Sequence, residues 1–560
     1  MDTKRFLLAI GSTLLILWLY QAWLEYQYPG YYQNQEQEAP GPSAKGSAAG
    51  NGTPTPKTET PPSKGQDTSI PEVEESRSPS SQPAVPGQEA PEKGLGVSTD
   101  LLDIRFSARS GDPVAAQLPR YRQEDRQDSQ PVSILSPSGD RIVVAQSGWV
   151  SSAGPSATHR ESFQGPDAEK LRLTEGKDEL SVTFTRTHQG VVFHKTYHFR
   201  RGSYEVPVEY TVVNNSDDPW QGHLYGQFRN RGQKAGSWFL YDYDGPVVFT
   251  GDSMQTFSVG DLAAREDQGF RQTDPTGWSG VMSRYFLTAW LPDPQASNTI
   301  YARATGADGY PGFSSPFPQV APGEQATLNG KLYLGPKEQS ILEETGRNLR
   351  RSVDYGILSF LAIPLFEVLQ FFHSLVGNYG FAIILVTLLI KVIFFPLFSM
   401  SYRAMAKMRT VQPQLQQIRE NYGDDRQKMN EEMMRLYREE KVNPLGGCLP
   451  ILVQIPVFIS LYWVLLESVE IRHEPFALWI TDLTSQDPFY VLPILMGASM
   501  VVQQLMNPAP LDPVQKKVML ALPVVFTVFF MQFPAGLVLY WLSNNLVSIA
   551  QQWWIMRKTA

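Results

Sequence analysis

Phe381-Ala-Ile-Ile-Leu-Val-Thr-Leu-Leu-Ile-Lys391-Val-Ile-Phe-Phe-Pro396 decides how the rest of the chain is read. The run is apolar enough for the hydrocarbon core of a bilayer, yet it carries one lysine near its middle. At ~1.5 Å per helical residue, Lys391 lies ~14 Å from Met400 at the expected inner boundary. An ammonium at such depth costs ~2.5–3.5 kcal/mol even on the permissive insertion scale, so something must solvate it. One answer is a side chain snorkelling from a tilted helix. The other is a charge facing a water-filled cavity.

Polar residues in neighbouring apolar runs favour the cavity. Thr387 is one turn before Lys391 on the same helical face. Gln454 and Ser460, then Ser499, Gln503 and Gln504, then Gln532, and finally Ser543, Asn544, Asn545 and Ser548 occupy the later runs. Singly, such residues are interhelical hydrogen-bonding glue; together they describe a hydrated interior. No intramembrane Asp or Glu faces Lys391, and Glu467 stands near the outer end of its helix. An unpaired positive charge suits the attraction of an acidic segment.

Spans are expected near 380–400, 448–467, 488–506, 517–533 and 535–555, against the ~20 residues a bilayer needs. The short segment Val518 to Phe533 favours a locally thinned bilayer. A further span opens the chain: Lys4 and Arg5 precede the apolar run Phe6 to Tyr20, and no small-x-small cleavage pattern follows. It reads as an uncleaved anchor over 1–26, with Tyr20, Trp23 and Tyr26 as interfacial aromatics.

Basic residues set the topology. The loop 401–443 carries Arg403, Lys407, Arg409, Arg419, Arg426, Lys428, Arg435, Arg438 and Lys441; Lys516, Lys517, Arg557 and Lys558 mark the other inside segments. The loop 468–487 has Arg472 alone against Glu470, Glu474, Asp482 and Asp487. Six spans with both termini inside place every basic loop on one side. Residues 353–376 would break that pattern by spanning. Ser352, Ser359, Glu367, Gln370, His373 and Ser374 fall in one arc of ~120°, with Phe366 the exception. An amphipathic helix over 346–377 lying along the interface is therefore expected.

Between anchor and bundle the chain changes character twice. Residues 27–97 are rich in Pro, Gly, Ser, Gln and Glu, with almost nothing large and apolar, and read as a flexible tether. Residues 98–345 alternate in short strands: Leu180, Val182 and Phe184; Phe193, Lys195, Tyr197 and Phe199; Val206, Val208, Tyr210 and Val212. No convincing amphipathic helix intervenes, so an all-β sandwich on the extracytoplasmic side is expected. The loop 401–443 reads as a cytoplasmic helical hairpin turning at Gly423-Asp424-Asp425. Its methionines, Met405, Met408, Met429 and Met433, suit either an ordinary antiparallel coiled-coil core or a surface that greases varied apolar partners.

The composition excludes several classes. The 560 residues hold 48 basic and 56 acidic side chains, a net charge of −8, so no basic surface advertises nucleic-acid recognition. One cysteine rules out an internal disulfide framework. Leu445-Gly446-Gly447-Cys448 mimics a lipoprotein box but lies deep in the chain, and Asp242-x-Asp244-Gly245 lacks the rest of a calcium loop. His194 and His198 share a strand face with no third ligand. There is no Walker motif and no defensible catalytic set, so no enzymatic activity, cofactor or metal is expected.

The bundle resembles a known family. Tyr402-Arg-Ala-Met-Ala-Lys-Met-Arg409, Gln412-Pro413, Val442-Asn-Pro-Leu-Gly-Gly-Cys-Leu-Pro450, Pro475-Phe-Ala-Leu-Trp479, Asp487-Pro488 and Gly536-Leu-Val-Leu-Tyr540 resemble the YidC insertases, relatives of mitochondrial Oxa and plastid Alb proteins. The resemblance covers the whole layout. It implies a multi-pass inner-membrane protein with six transmembrane helices, a five-helix core over 378–556 plus the N-terminal anchor, and a large periplasmic β-supersandwich. It also implies an insertase without nucleotide, working on nascent membrane proteins, alone or with the Sec translocon and its accessory proteins. A groove charge, usually arginine, falls here on Lys391; Thr387, Gln454, Gln504, Tyr540 and Trp541 match groove and substrate-contact positions. A ribosome-binding basic tail of some relatives is not matched past Arg557 and Lys558. The mutarotase-like β domain suggests a rival, a tethered carbohydrate protein, and an anion site at Lys391 suggests a second, a transporter or channel. No acid/base pair and no inverted repeat supports them.

Overall fold

Alternation in the strand regions is what builds the large domain. In Val191–Arg200 the residues Val191, Phe193, Lys195, Tyr197 and Phe199 turn inward and their neighbours outward. The strand hairpins onto Glu179–His188 through Gln189 and Gly190, both with positive φ, the geometry of a two-residue turn that matches strand twist. The computed structural model describes residues 94–559 except 127, 233–242, 252, 266–268, 423–424, 441–448 and 508–512. The expected anchor over 1–26, the tether up to residue 93, the hairpin turn Gly423-Asp424 and Val442 to Cys448 of the proline–glycine motif lie outside the described residues.

Strands run from Gly96 to Pro336 in three sheets. The largest has eight antiparallel strands in the order Ser253–Thr256, Gly245–Thr250, Trp278–Met282, Phe286–Pro292, Gln325–Pro336, Glu205–Asn214, Val191–Arg200 and Glu179–His188. A five-stranded sheet, which includes Ile142–Ala153 and Gln221–Arg231, packs against it around Trp149, Trp220, Trp278 and Trp290. The Trp290 indole donates to the Gln227 carbonyl at 3.2 Å, tying one sheet to the other. A second five-stranded sheet, with Pro131–Leu135 and Lys170–Arg172 at its edges and Gly96–Ser98 beside the latter, completes the domain. One helix, α1 (Val259–Ala264), intervenes against expectation, held by a capping box from Ser258 and Asp261. Six residues are too few for a 3.6-residue period to emerge from the sequence.

The chain then turns helical: α2 (Gln339–Thr345), α3 (Ser359–Val376), α4 (Tyr379–Ile393), α5 (Phe395–Tyr422), α6 (Arg426–Glu439), α7 (Leu449–Glu467), α8 (Val491–Met506), α9 (Pro513–Phe530) and α10 (Ala535–Thr559). The helix α10 is central and touches α4, α5, α7 and α8. The stretch expected as one span over 380–400 is broken: α4 ends at Ile393 and α5 leaves at 70°. Lys391 therefore sits in the last turn of α4, and its rise-per-residue distance from Met400 does not apply. Pro396 at the start of α5 lacks the N–H a continuous helix would use.

Among the described residues, one helix is by itself long and apolar enough to cross a membrane, Gly356–Val376; the bent pair α4–α5 passes jointly. The first of these is the segment expected along the interface. Its polar side is engaged by the β-domain exit and by α4: Arg350 approaches Glu367 at 3.7 Å, and the Tyr379 hydroxyl donates to Gln370 at 3.0 Å. Apolar stretches in α7, α8 and α9 are shorter. The helices α8, α9 and α10 nonetheless expose a belt of apolar side chains, with Ile494, Leu505, Val524, Val528 and Leu546 each more than half exposed. Such a belt far exceeds what a water-soluble surface tolerates.

The two halves dock through buried polar contacts. Lys337, immediately after the last strand, donates to the Ser352 carbonyl at 3.1 Å and lies 3.6 Å from Glu467 at the end of α7. Gln339 donates its backbone N–H to Glu470 and its side chain to the Tyr355 hydroxyl. Arg472 reaches the Gln123 carbonyl and stacks near the rings of Tyr285 and Phe286.

Candidate functional site

Lys391 is brought to the junction of α4, α5 and α10 by the break at Phe394. Folding α5 back by 70° sets Phe398 over the ammonium, 4.1 Å from Nζ to the ring centroid. From the other side Nζ donates to Ser548 Oγ at 2.8 Å, and Ser548 donates onward to the Asn544 carbonyl. No carboxylate pairs with this lysine among the described residues. Only 4% of the residue is exposed, so the charge expected to face an open, water-filled cavity is instead enclosed by a ring and a hydroxyl.

Thr387 is buried one turn away and donates to the Ile383 carbonyl at 2.8 Å. Gln454 on α7 is half-buried and hydrogen-bonds the Tyr540 hydroxyl of α10. Trp541 packs edge-on to Phe458 at 4.7 Å and lies 5.0 Å from Phe530. Gln504, near the end of α8, is half-buried, and no hydrogen bond joins its side chain to Lys391. The structure thus pairs Lys391 with Ser548, and Gln454 with Tyr540.

Other polar groups extend this seam. Asn545 donates to Ser499 at 2.9 Å, and Gln552 donates to Asn507 at 3.0 Å. Ser399 and Ser401 on α5, Ser460 on α7 and both side-chain polar atoms of Gln551 are buried with no partner among the described residues. A buried amide without a partner is costly in a dry interior. Phe398, Ser399, Ser401 and Gln551 escaped the sequence reading. For Gln551 the signal was available, since it follows Ser548 by three residues and so shares its helical face.

The methionines divide. Met405 packs beside Phe398, Tyr402 and Ile555, while Met408 and Met433 join Val411, Leu415, Leu436 and Tyr437 between α5 and α6. Met429 is half-buried outside these clusters. All four stay partly exposed.

On the opposite face a cleft of about 1140 Å³ opens where the β-domain meets α3 and the loop after α7; Arg122, His373, Tyr379, Glu470, Arg472 and Glu474 help line it. Burial pushes the Glu470 carboxyl up to about 7, and one of its oxygens has no partner among the described residues. Beyond it, Asp487 accepts from the Trp479 indole and from the backbone of Phe489 and Leu492, which caps α8. The strand-like Asp244 of the failed calcium pattern is occupied by a bidentate contact from Arg141.

Comparison with known proteins divides the chain inside α3. Residues 95–368 match the family described as YidC periplasmic domain, and residues 371–560 match the family described as 60Kd inner membrane protein. Membrane protein insertase YidC of Thioalkalivibrio sulfidiphilus is 49% identical over 478 residues, 82% of this chain and 84% of that protein. The Alkalilimnicola ehrlichii protein of the same name is 46% identical over 472 residues, 83% of each chain. Among solved structures, an active YidC insertase with its first transmembrane domain resolved matches over 81% of this chain and 90% of that one, at 17% identity and a TM-score of 0.37.

Proposed function

The chain belongs to the YidC family of membrane-protein insertases, and we propose that it works through a polar seam between α4, α5, α7, α8 and α10, with Lys391 as the charge that receives cargo. It is a membrane protein with a large β-rich periplasmic domain. The observation that carries the seam is a buried ammonium held by a hydroxyl and a ring, with no counter-ion among the described residues. A stable core has little use for such a charge, whereas a site that must exchange one anionic partner for another needs it uncommitted.

In this reading an incoming hydrophobic segment first meets the methionine surface of a cytoplasmic hairpin formed by α5 and α6. Its polar flank then enters the seam, where Thr387, Gln454, Gln504 and the orphaned amide of Gln551 supply hydrogen bonds. Tyr540 and Trp541 form the aromatic wall beside it. Burying the apolar segment in lipid contributes ~25 cal/mol per Å², which exceeds the few kcal/mol of moving a short polar tail. Short tails with few charges are the preferred cargo. No bond in the cargo is made or broken.

The topology proposed with it has an anchor over 1–26, a tether over 27–97, the β-domain over 98–345, an interfacial helix over 346–377 and a core over 378–556. Six spans place both termini in the cytoplasm; the apolar belt on α8, α9 and α10 supports it. The Sec translocon is the partner for larger cargo. Photocrosslinkers at Thr387, Gln454 and Trp541 should capture a stalled nascent membrane protein, and one at the outward-facing Leu505 should capture far less. Equal capture at all four positions would remove the seam from the mechanism.

A further inference from the structure

Phe398 has no place in the family resemblance or in the sequence reading, yet the Lys391 ammonium lies over its ring, 4.1 Å from the centroid. It is buried to 3%, packed with Tyr402, Ile555 and Met405, and delivered by the first turn of α5 just past the 70° break. On the opposite side Ser548, at 2% exposure, accepts the only hydrogen bond the ammonium makes among the described residues. The charge is thus neither free nor neutralised. It rests on an aromatic quadrupole, an attraction weaker than an ion pair and strengthened by the absence of water.

We propose that Phe398 is a positioning residue that sets the threshold for cargo, its ring being the resident partner of Lys391 that an incoming group must displace. The inference rests on the reading of Lys391 as the receiving charge. A carboxylate displaces the ring readily, because full charge on charge at contact outweighs charge on quadrupole. A neutral amide or hydroxyl gains too little to do so. Discrimination between acidic and neutral tails then arises from what the ring withholds, a device acting against the weaker partner. The hydroxyl of Ser548 holds the amine in place during the exchange, since its own proton is committed to Asn544.

The test uses the full-length protein in cells depleted of their own insertase. Two single-span cargoes differ only in carrying Asp or Asn in the short translocated tail, and protection of that tail from protease measures insertion. Phe398→Leu should raise insertion of the Asn cargo roughly three- to thirtyfold, the range spanned by losing a partly to fully desolvated cation–π contact. The Asp cargo, already efficient, should change little, and Phe398→Trp should restore the discrimination. In a Lys391→Gln background Phe398→Leu should produce no gain. The inference is overturned if Phe398→Leu acts alike with and without Lys391, which makes the ring mere packing, or if it lowers both cargoes while the protein remains at normal abundance. Failure of the underlying reading looks different: Lys391→Gln alone would then leave insertion of the Asp cargo unchanged.

Discussion

The backbone N–H of Gln339 donates to Glu470 Oε1 at 3.0 Å, joining the first helix after the β-domain to the loop that follows α7. The other oxygen of this carboxyl is buried without a partner among the described residues, and burial pushes the group up to about 7 from an ordinary 4.5. The folded protein therefore keeps the proton to higher pH than the unfolded chain does. The resulting stabilisation is complete below about pH 4.5 and is lost as pH rises through 7. Glu470→Gln removes the titration. Melting temperatures of wild type minus variant should fall between pH 4.5 and 7.5, and a flat difference would contradict the assignment.

Inside the β-domain, Lys195 Nζ stands 2.9 Å from Asp112 Oδ1 and also donates to the carbonyls of Ser110 and Ser147. Both side chains are sealed from solvent. Lys195→Met leaves a buried carboxylate without its cation, held only by the Ser147 and Tyr197 hydroxyls, and should cost ~3–5 kcal/mol, whereas Lys195→Met with Asp112→Leu should recover most of it. Denaturant unfolding followed by tryptophan fluorescence reads this directly. Equal losses in the single and double variants would show that the pair, and not the orphaned charge, carries the energy.

Much of the fold was legible because its signals repeat. Val191–Arg200 alternates over ten residues, and the lysine in phase with its apolar positions is the one the core encloses. The break at Phe394 was not legible, since Phe394, Phe395 and Pro396 continue an apolar run whose composition suits a straight span. Its consequence was hidden with it: Phe398 meets Lys391 across the 70° bend between α4 and α5. Lys391 itself was legible as a candidate because it stands alone among apolar residues. Gln454 and Tyr540 share no local pattern, and their hydrogen bond depends on how α7 and α10 pack.

A close approach holds the top of α4. A Cβ added at Gly380 would stand 2.0 Å from Phe476 Cδ2 and 2.8 Å from Phe476 Cβ, and the ring is confined beside Phe381. Alanine gains up to ~1 kcal/mol in helix propensity, but overpacking costs ~1–3 kcal/mol or more against a ring that cannot swing aside. Gly380→Ala should lower the melting temperature of the purified protein, and combining it with Phe476→Ala should relieve the clash. A neutral or stabilising Gly380→Ala would mean that α4 and the 475–479 loop are not in contact.

The most direct measurement is insertion of a short-tailed acidic cargo by a charge series at Lys391 in cells lacking any other insertase. Lys391→Arg should work nearly as well as wild type. Lys391→Gln should lose about tenfold, the equivalent of ~1.4 kcal/mol, and Lys391→Glu should insert least because like charges repel at close range. Equal insertion by all four proteins, at equal abundance, would contradict the role given to this charge.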